Sequence, residues 1–232
     1  LKGPETFAEY DEIARFFTRR FHKNSPVDYG TSLVFGSSIV AASDYLPRLR
    51  AEGGMEVGPD GRVKLREEQA VRALRSYRDA FLNTDRETNS WWRWAMVGFS
   101  DGLVAMNVLF ANYACIMLHS KKSVVIGKIG FAPVPGGRPL LGGGVLGISR
   151  DSRKRDACRE FLKWVYDEKT AATITCLGDY INHRKRTENM ELLELYPWLE
   201  GMEDAVAAGW RRETERLSPG FNEFAFEDIL GN

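Results

Sequence analysis

"GFSDGLVAMNVLFANYACIM", Gly98 to Met117, sets the organisation of the chain: a Ser-Asp-Gly turn, the apolar run LVAMNVL, then aromatic and amide residues within a few positions. The run is too short to be a helix and follows a helix-stopping glycine, so it reads as a buried strand. WWRWAMVGFSDG before it is a short helix stopped by Gly102, and NYACIMLHS after it opens a new one. Strand, polar tip and helix in that order form the local shape of a ligand-binding edge in an α/β sheet.

Toward the N-terminus the same alternation recurs. In PETFAEYDEIARFFTRRF, Thr6 stands three residues before Glu9 at capping-box spacing, and Phe7, Tyr10, Ile13, Phe17 and Phe21 fall near one helical face. Pro26 interrupts that pattern. YGTSLVFG then reads as a short buried strand ending at Gly36, with a helix from about Ser38 to Arg50 after it. In MEVGPDGRVKL, Val57 and Val63 flank a Pro-Asp-Gly turn, a hairpin signal. EEQAVRALRSYRDAFL repeats apolar residues at Val71, Leu74, Tyr77 and Phe81, which predicts a helix packed on that side.

Toward the C-terminus, VIGKIGFAPVPGG predicts a strand closed by Pro and Gly, and GGGVLGIS a further one. SRKRDACREFLKWVYDE predicts a helix with Ala157, Phe161, Leu162 and Val165 on its buried side. From Thr170 onward the pattern is helical with short breaks, and no internal repeat is present. Strands interleaved with helices argue for an α/β fold with a helix-rich C-terminal portion.

Composition narrows the function. The 232 residues suffice for one large domain or two small ones. Lysine plus arginine and aspartate plus glutamate each total 32, without a block of like charge, which argues against capture of nucleic acid. The three cysteines, Cys115, Cys158 and Cys176, lack the paired spacing of a zinc site and are odd in number for a disulfide framework. No apolar run approaches the roughly 20 residues that cross a bilayer. LKGPETFAEY is not a signal peptide and reads as a mid-chain segment, so the expectation is a true N-terminus upstream.

Taken in order, PETFAEYDEIARFF, YGTSLVFG, LRAEGGMEVGPDGRVKL, FSDGLVAM, IGFAPVPGG, GGGVLGISRDSRKRDACREFLKWV and GDYINHR resemble the successive signatures of bacterial extracellular solute-binding proteins, family 1, the sugar-type binding proteins of ABC importers. The resemblance covers nearly the whole chain. It implies an α/β, periplasmic-binding-protein-like (type II) lobe with a mixed sheet flanked by helices. Residues 1–141 would form the main lobe, 142–168 a crossing strand and helix belonging with a mostly absent second lobe, and 169–232 helices returning to the main lobe. It further implies a monomer without cofactor or metal that closes on a small solute, a sugar above all, and hands it to the transmembrane subunits of an ABC permease. Its location would be periplasmic or extracellular, with a lipid anchor through the absent N-terminus as one option.

Sugars are held by aromatic rings against the C–H face together with planar polar groups for the hydroxyls. Phe110, Asn112 and Tyr113, just past the Val104 strand, stand where the family puts an aromatic or amide against its ligand. Asn112 occupies roughly the place of a common tryptophan. Core packing of Phe110 and Tyr113 is the alternative. The family comparison also places Ser37, Ser38, Asp44 and Tyr45 near the cleft, against a serine helix cap and a buried tyrosine. Gly142, Gly143 and Gly144 precede no Gly-Lys-Ser/Thr, so they let backbone pass near a ligand or the other lobe rather than cradle phosphate. Arg184 and Phe221 fall near a family arginine and a family stacking aromatic, although His183 lacks the proline of the Pro-x-Arg pattern. Trp91, Trp92 and Trp94 are read as core or surface anchors.

Two rivals stand beside this reading. A ligand-sensing module for a membrane receptor would use the same closure. A glycoside hydrolase would need carboxylates paired across a cleft, whereas Asp11 and Glu12 or Glu67 and Glu68 fall on helix surfaces. No G-x-S-x-G or H-E-x-x-H motif accompanies His22, His119 or His183, so no enzyme is expected.

Overall fold

A computed structural model describes residues 2–36, 38–85, 91–119, 121–141 and 146–176, together with Leu193, Glu194, Tyr196 and Leu199. Helix α1 (Phe7–Phe17) begins as its cap predicts: Thr6 Oγ1 accepts the Glu9 amide at 3.1 Å, and Glu9 Oε2 accepts the Glu5 amide at 2.8 Å. It buries Phe7, Tyr10 and Ala14. It ends at Thr18, so Phe21 lies beyond it with the Arg15 guanidinium 3.9 Å above its ring, instead of on the buried face.

Strands β1 (Tyr29–Ser32) and β2 (Val104–Asn107) pair in parallel, with Tyr29 opposite Val104, Thr31 opposite Met106 and Ser32 opposite Asn107. Gly30 lets α1 lie directly on β1, since a Cβ there would stand 1.6 Å from the Ala14 carbonyl oxygen. Between the strands run α2 (Ser38–Ala51), α3 (Glu68–Ala80) and α4 (Trp92–Ser100), in the crossover manner that parallel pairing demands. The Val57–Val63 bridge of the expected hairpin is present. Gly102, at φ 72°, stops α4 by donating to Phe99 O, and the Leu103 amide donates to Gly98 O.

The largest core cluster lies between α2 and α3 and unites Leu33, Tyr45, Leu46 and Leu49 with Ala70, Ala73, Tyr77 and Ala80. This corrects the predicted face of α3. Alanines face α2 and allow close approach, while Val71 and Leu74 point to solvent. A second cluster joins Met96, Ala114 and Met117 of α4 and α5 (Tyr113–His119) with Tyr196 and Leu199.

Two strand expectations fail within the described residues. Residues 121–134 form turns and extended chain, held by single bonds such as Val124 N–H to Ser100 O at 2.9 Å, and Val124, Ile126 and Phe131 are exposed. Leu146–Ser149 likewise carry no strand. A strand exists through its ladder, and neither stretch finds a strand neighbour among the described residues. Helix α6 (Arg155–Val165) does form, but it buries only Val165. Ala157 and Phe161 are exposed, contrary to expectation. Helix α7 (Glu168–Cys176) follows and buries Ala171 and Thr175.

Candidate functional site

The carboxyl ends of β1 and β2 open on one edge, where parallel sheets present their ligand sites. Leaving β1, Leu33 and Val34 turn inward and are fixed through their amides. Thr84 Oγ1 accepts Leu33 N–H at 2.9 Å and Asp44 Oδ2 accepts Val34 N–H at 2.7 Å. Leaving β2, Val108 and Leu109 lead to Phe110, Ala111 and Asn112. There the Tyr113 amide donates to Phe110 O at 3.0 Å and starts α5. Beside this turn Asn107 Nδ2 donates to Ala95 O at 3.2 Å, tying the strand end to α4.

Phe110, Asn112 and Tyr113 therefore come together on one turn. Phe110 is half-buried, its ring edge-on to Trp92 at 5.7 Å. Trp92 is braced in turn by donating Nε1–H to Ser43 Oγ at 3.1 Å, and Ser43 donates to Val40 O. Asn112 is exposed at the tip. Tyr113 packs partly against the Met96 cluster, and burial pushes its hydroxyl above the usual tyrosine range. The turn thus offers one aromatic edge, one free amide and one phenol, a set suited to a polyhydroxylated ligand.

The α2 candidates separate. Asp44 touches the rim through Val34 and holds that backbone in place. Tyr45 is a core residue whose hydroxyl donates to Ala70 O at 3.2 Å, so a ligand contact there would require the α2–α3 core to open. Ser38 is the first residue of α2, and nothing is described of its side chain. Ser37, Gly142, Gly143, Gly144, Arg184 and Phe221 lie outside the described residues. Trp91 and Trp94 are exposed and Trp92 is half-buried; of the three, Trp92 is the one in ring contact with Phe110.

Sequence reasoning missed the polar cluster beneath this edge. Arg48 is 2% exposed and donates Nη1 and Nη2 to Asp11 Oδ2 and Oδ1 at 2.6 and 2.7 Å. Nη1 also reaches Ser76 Oγ at 2.5 Å, and the guanidinium lies 4.4 Å from the Phe7 ring centre. Tyr10 and Thr31 share a hydroxyl bond of 2.5 Å, and burial raises the Tyr10 hydroxyl strongly. Asp44 keeps part of its surface exposed, yet desolvation pushes its carboxyl up to about 7 against the opposing pull of Val34 N–H and Arg48. The i,i+4 spacing of Asp44 and Arg48 brings the two near each other on α2 but does not report the pairing of Arg48 with Asp11, 37 residues away.

Among the described residues no cluster of three or more His, Cys, Asp or Glu side chains is placed to hold a metal ion, and no helix is long and apolar enough to cross a membrane. No family model matches the chain. A probable amino-acid ABC transporter periplasmic-binding protein, y4oP of Sinorhizobium fredii (strain NBRC 101917 / NGR234), is 21% identical over 193 residues, covering 82% of this chain and 44% of its own. A solute-binding protein of an ABC transporter from Agrobacterium radiobacter K84, solved with ribitol, superposes with a TM-score of 0.81 at 21% identity, over 100% of this chain and 59% of that one. Maltose-bound MalE3 of T. maritima gives 0.83 at 20% identity, over 99% and 59%. The chain thus spans less than two thirds of each, and its fold is that of the solute-binding proteins of ABC transporters.

Proposed function

We propose that this chain belongs to the substrate-binding component of an ABC importer and captures a polyol or sugar, without catalysis, between two lobes. Residues 1–141 and 169–232 build one lobe, and 142–168 belong with the other. The observation that carries this reading is the shared edge: parallel β1 and β2 end in register at Ser32 and Asn107 and lead on into Leu33–Gly36 and Phe110–Tyr113, in a fold whose solved relatives hold ribitol and maltose. Phe110 and Tyr113 would offer ring surface and Asn112 a planar amide to hydroxyls. Ser37, Ser38, Gly143, Gly144, Arg184 and Phe221 complete the proposed set, with Asp44 acting through the backbone. Closure would favour the liganded state through contacts made only when the lobes meet, and would present a composite surface to permease subunits outside the cytoplasm.

The test is a thermal-shift titration with ribitol, maltose, amino acids and a chromogenic glycoside. A ligand at 100 times its dissociation constant adds about 2.7 kcal/mol to stability. We expect a carbohydrate to raise the midpoint and Asn112→Ala and Tyr113→Ala to remove most of the rise. A shift with amino acids alone would move the substrate class, and cleavage of the glycoside would defeat the binding-protein reading.

A further inference from the structure

The rim lies where β1 and β2 end, and a different surface gathers where they begin. Tyr10 meets Thr31 and the Ala14 carbonyl meets Gly30, so α1 runs against the direction of β1 and its last turn lies at the entry of the strands. The chain beyond α1 stays there. The Arg19 amide donates to Asp28 O at 3.1 Å, and the amides of Asp28 and Tyr29 donate to Leu103 O at 3.1 and 3.0 Å. Residues 121–128 reach the same end from far along the chain: the Val124 amide donates to Ser100 O at 2.9 Å, and a Cβ on Gly102 would stand 3.0 Å from Val124 Cγ2.

This end is both apolar and basic. Phe16, Phe21, Leu103, Val124 and Ile126 are exposed. Single exposed apolar residues are ordinary, whereas a group of them around one turn marks a surface that meets a partner. Between them stand Arg15, Arg20 and Lys23 from the α1 side and Lys121 and Lys128 from the other, all exposed. None of these cations forms an ion pair among the described residues. Arg19 and Asp28 pair and cancel, and Asp101 and, one turn back on α1, Glu12 are the acids beside the cations. The whole chain is neutral, so the fold gathers here a charge that the sequence divides between two distant segments.

Arg15 and Arg20 both face the ring of Phe21, at 3.9 and 5.7 Å from its centre. A guanidinium held on a ring face keeps the N–H groups of its own plane open to an anion. We propose that this end of the lobe docks on an anionic phospholipid bilayer, its cations meeting lipid phosphates while Phe16, Phe21 and Val124 enter the boundary between headgroups and acyl chains. A bilayer surface takes both halves of the patch. A soluble polyanion would leave the apolar half uncovered, and an apolar protein groove would leave the cations unmatched. The docking end is the one away from the rim, so it leaves the rim free. In the importer reading above it would keep the binding protein near its permease, although the docking itself does not rest on that reading.

Co-sedimentation of the purified protein with vesicles of phosphatidylcholine, alone or mixed equally with phosphatidylglycerol, tests this without any solute. Binding is expected to the mixed vesicles alone, and it should weaken as salt rises from about 0.05 M to about 0.5 M. Arg20→Gln combined with Lys23→Gln should lower the partition coefficient about fivefold for each charge removed. Phe16→Ser should lower it several-fold with the charge unchanged, which a purely electrostatic patch would not show. If Phe16→Ser does not fold, Val124→Ser takes its place. Lys163→Gln, at an exposed cation on α6, should leave binding unchanged. Absence of binding to the mixed vesicles, equal binding to phosphatidylcholine alone, or an equal loss in Lys163→Gln overturns the proposal. So does polyglutamate that captures the protein as well as the vesicles do and is indifferent to Phe16→Ser, since the partner would then be a soluble polyanion.

Discussion

Helices α3 and α6 carry similar amphipathic patterns and meet opposite fates. α3 turns Ala70, Ala73, Tyr77 and Ala80 into the core against α2 and leaves Val71 and Leu74 outside. α6 buries only Val165 and holds Phe161 and Trp164 at 54% and 57% exposure, their rings 5.7 Å apart. The difference is a partner. Small residues earn α3 a close neighbour, and large ones on α6 find none among the described residues. Apolar period therefore marks a helix, while the size of its side chains and the presence of a facing element decide which face is covered.

The comparison breaks most severely at the polar floor shared by α1, α2 and α3. Arg48→Met removes the group that neutralises Asp11 and lies beside Asp44, and breaking a buried pair from one side costs about 3–5 kcal/mol. Urea denaturation should show a large drop in midpoint with an unchanged slope. A loss below about 1 kcal/mol would mean that the ion pair is not what joins α1 to α2 and α3. A smaller effect is expected at the α2–α3 contact. Ala73 has no exposed surface, so Ala73→Leu overpacks the interface by three heavy atoms and should cost about 1–3 kcal/mol, read the same way. Placing leucine at exposed Val71 should cost far less, and the contrast checks which face of α3 is covered.

Legibility in the sequence tracks the range of the interaction. The Thr6 cap, the Val57–Val63 turn, the Gly102 stop and the strand before Phe110 are decided within a few residues, and each stands where the sequence places it. The rim turn at Phe110–Tyr113 was legible for the same reason. Its supports were not: Trp92 reaches Ser43 and Arg48 reaches Asp11 across long stretches of chain, and no local pattern reports such a pairing. The strands expected over VIGKIGFAPVPGG and GGGVLGIS do not form among the described residues for a related cause. Their β-branched and apolar residues fit a strand, but a strand needs a ladder, which is a property of the neighbour.

The smallest expected effect is the most instructive. If Phe161 and Trp164 have no partner within this chain, Phe161→Glu and Trp164→Glu should change its unfolding free energy by no more than about 0.5 kcal/mol, as exposed substitutions do. In the two-lobe arrangement proposed above, the same side chains belong with the second lobe. There each aromatic would be covered, and its replacement by a carboxylate should cost about 3 kcal/mol or more. Chemical denaturation of both substitutions, in this chain and in a protein carrying both lobes, separates the possibilities. A large loss in this chain alone would show that α6 is covered from within it, and the contrast between α3 and α6 would collapse. A small loss in both would leave the apolar face of α6 free of the second lobe and would refute the assignment of residues 142–168 to it.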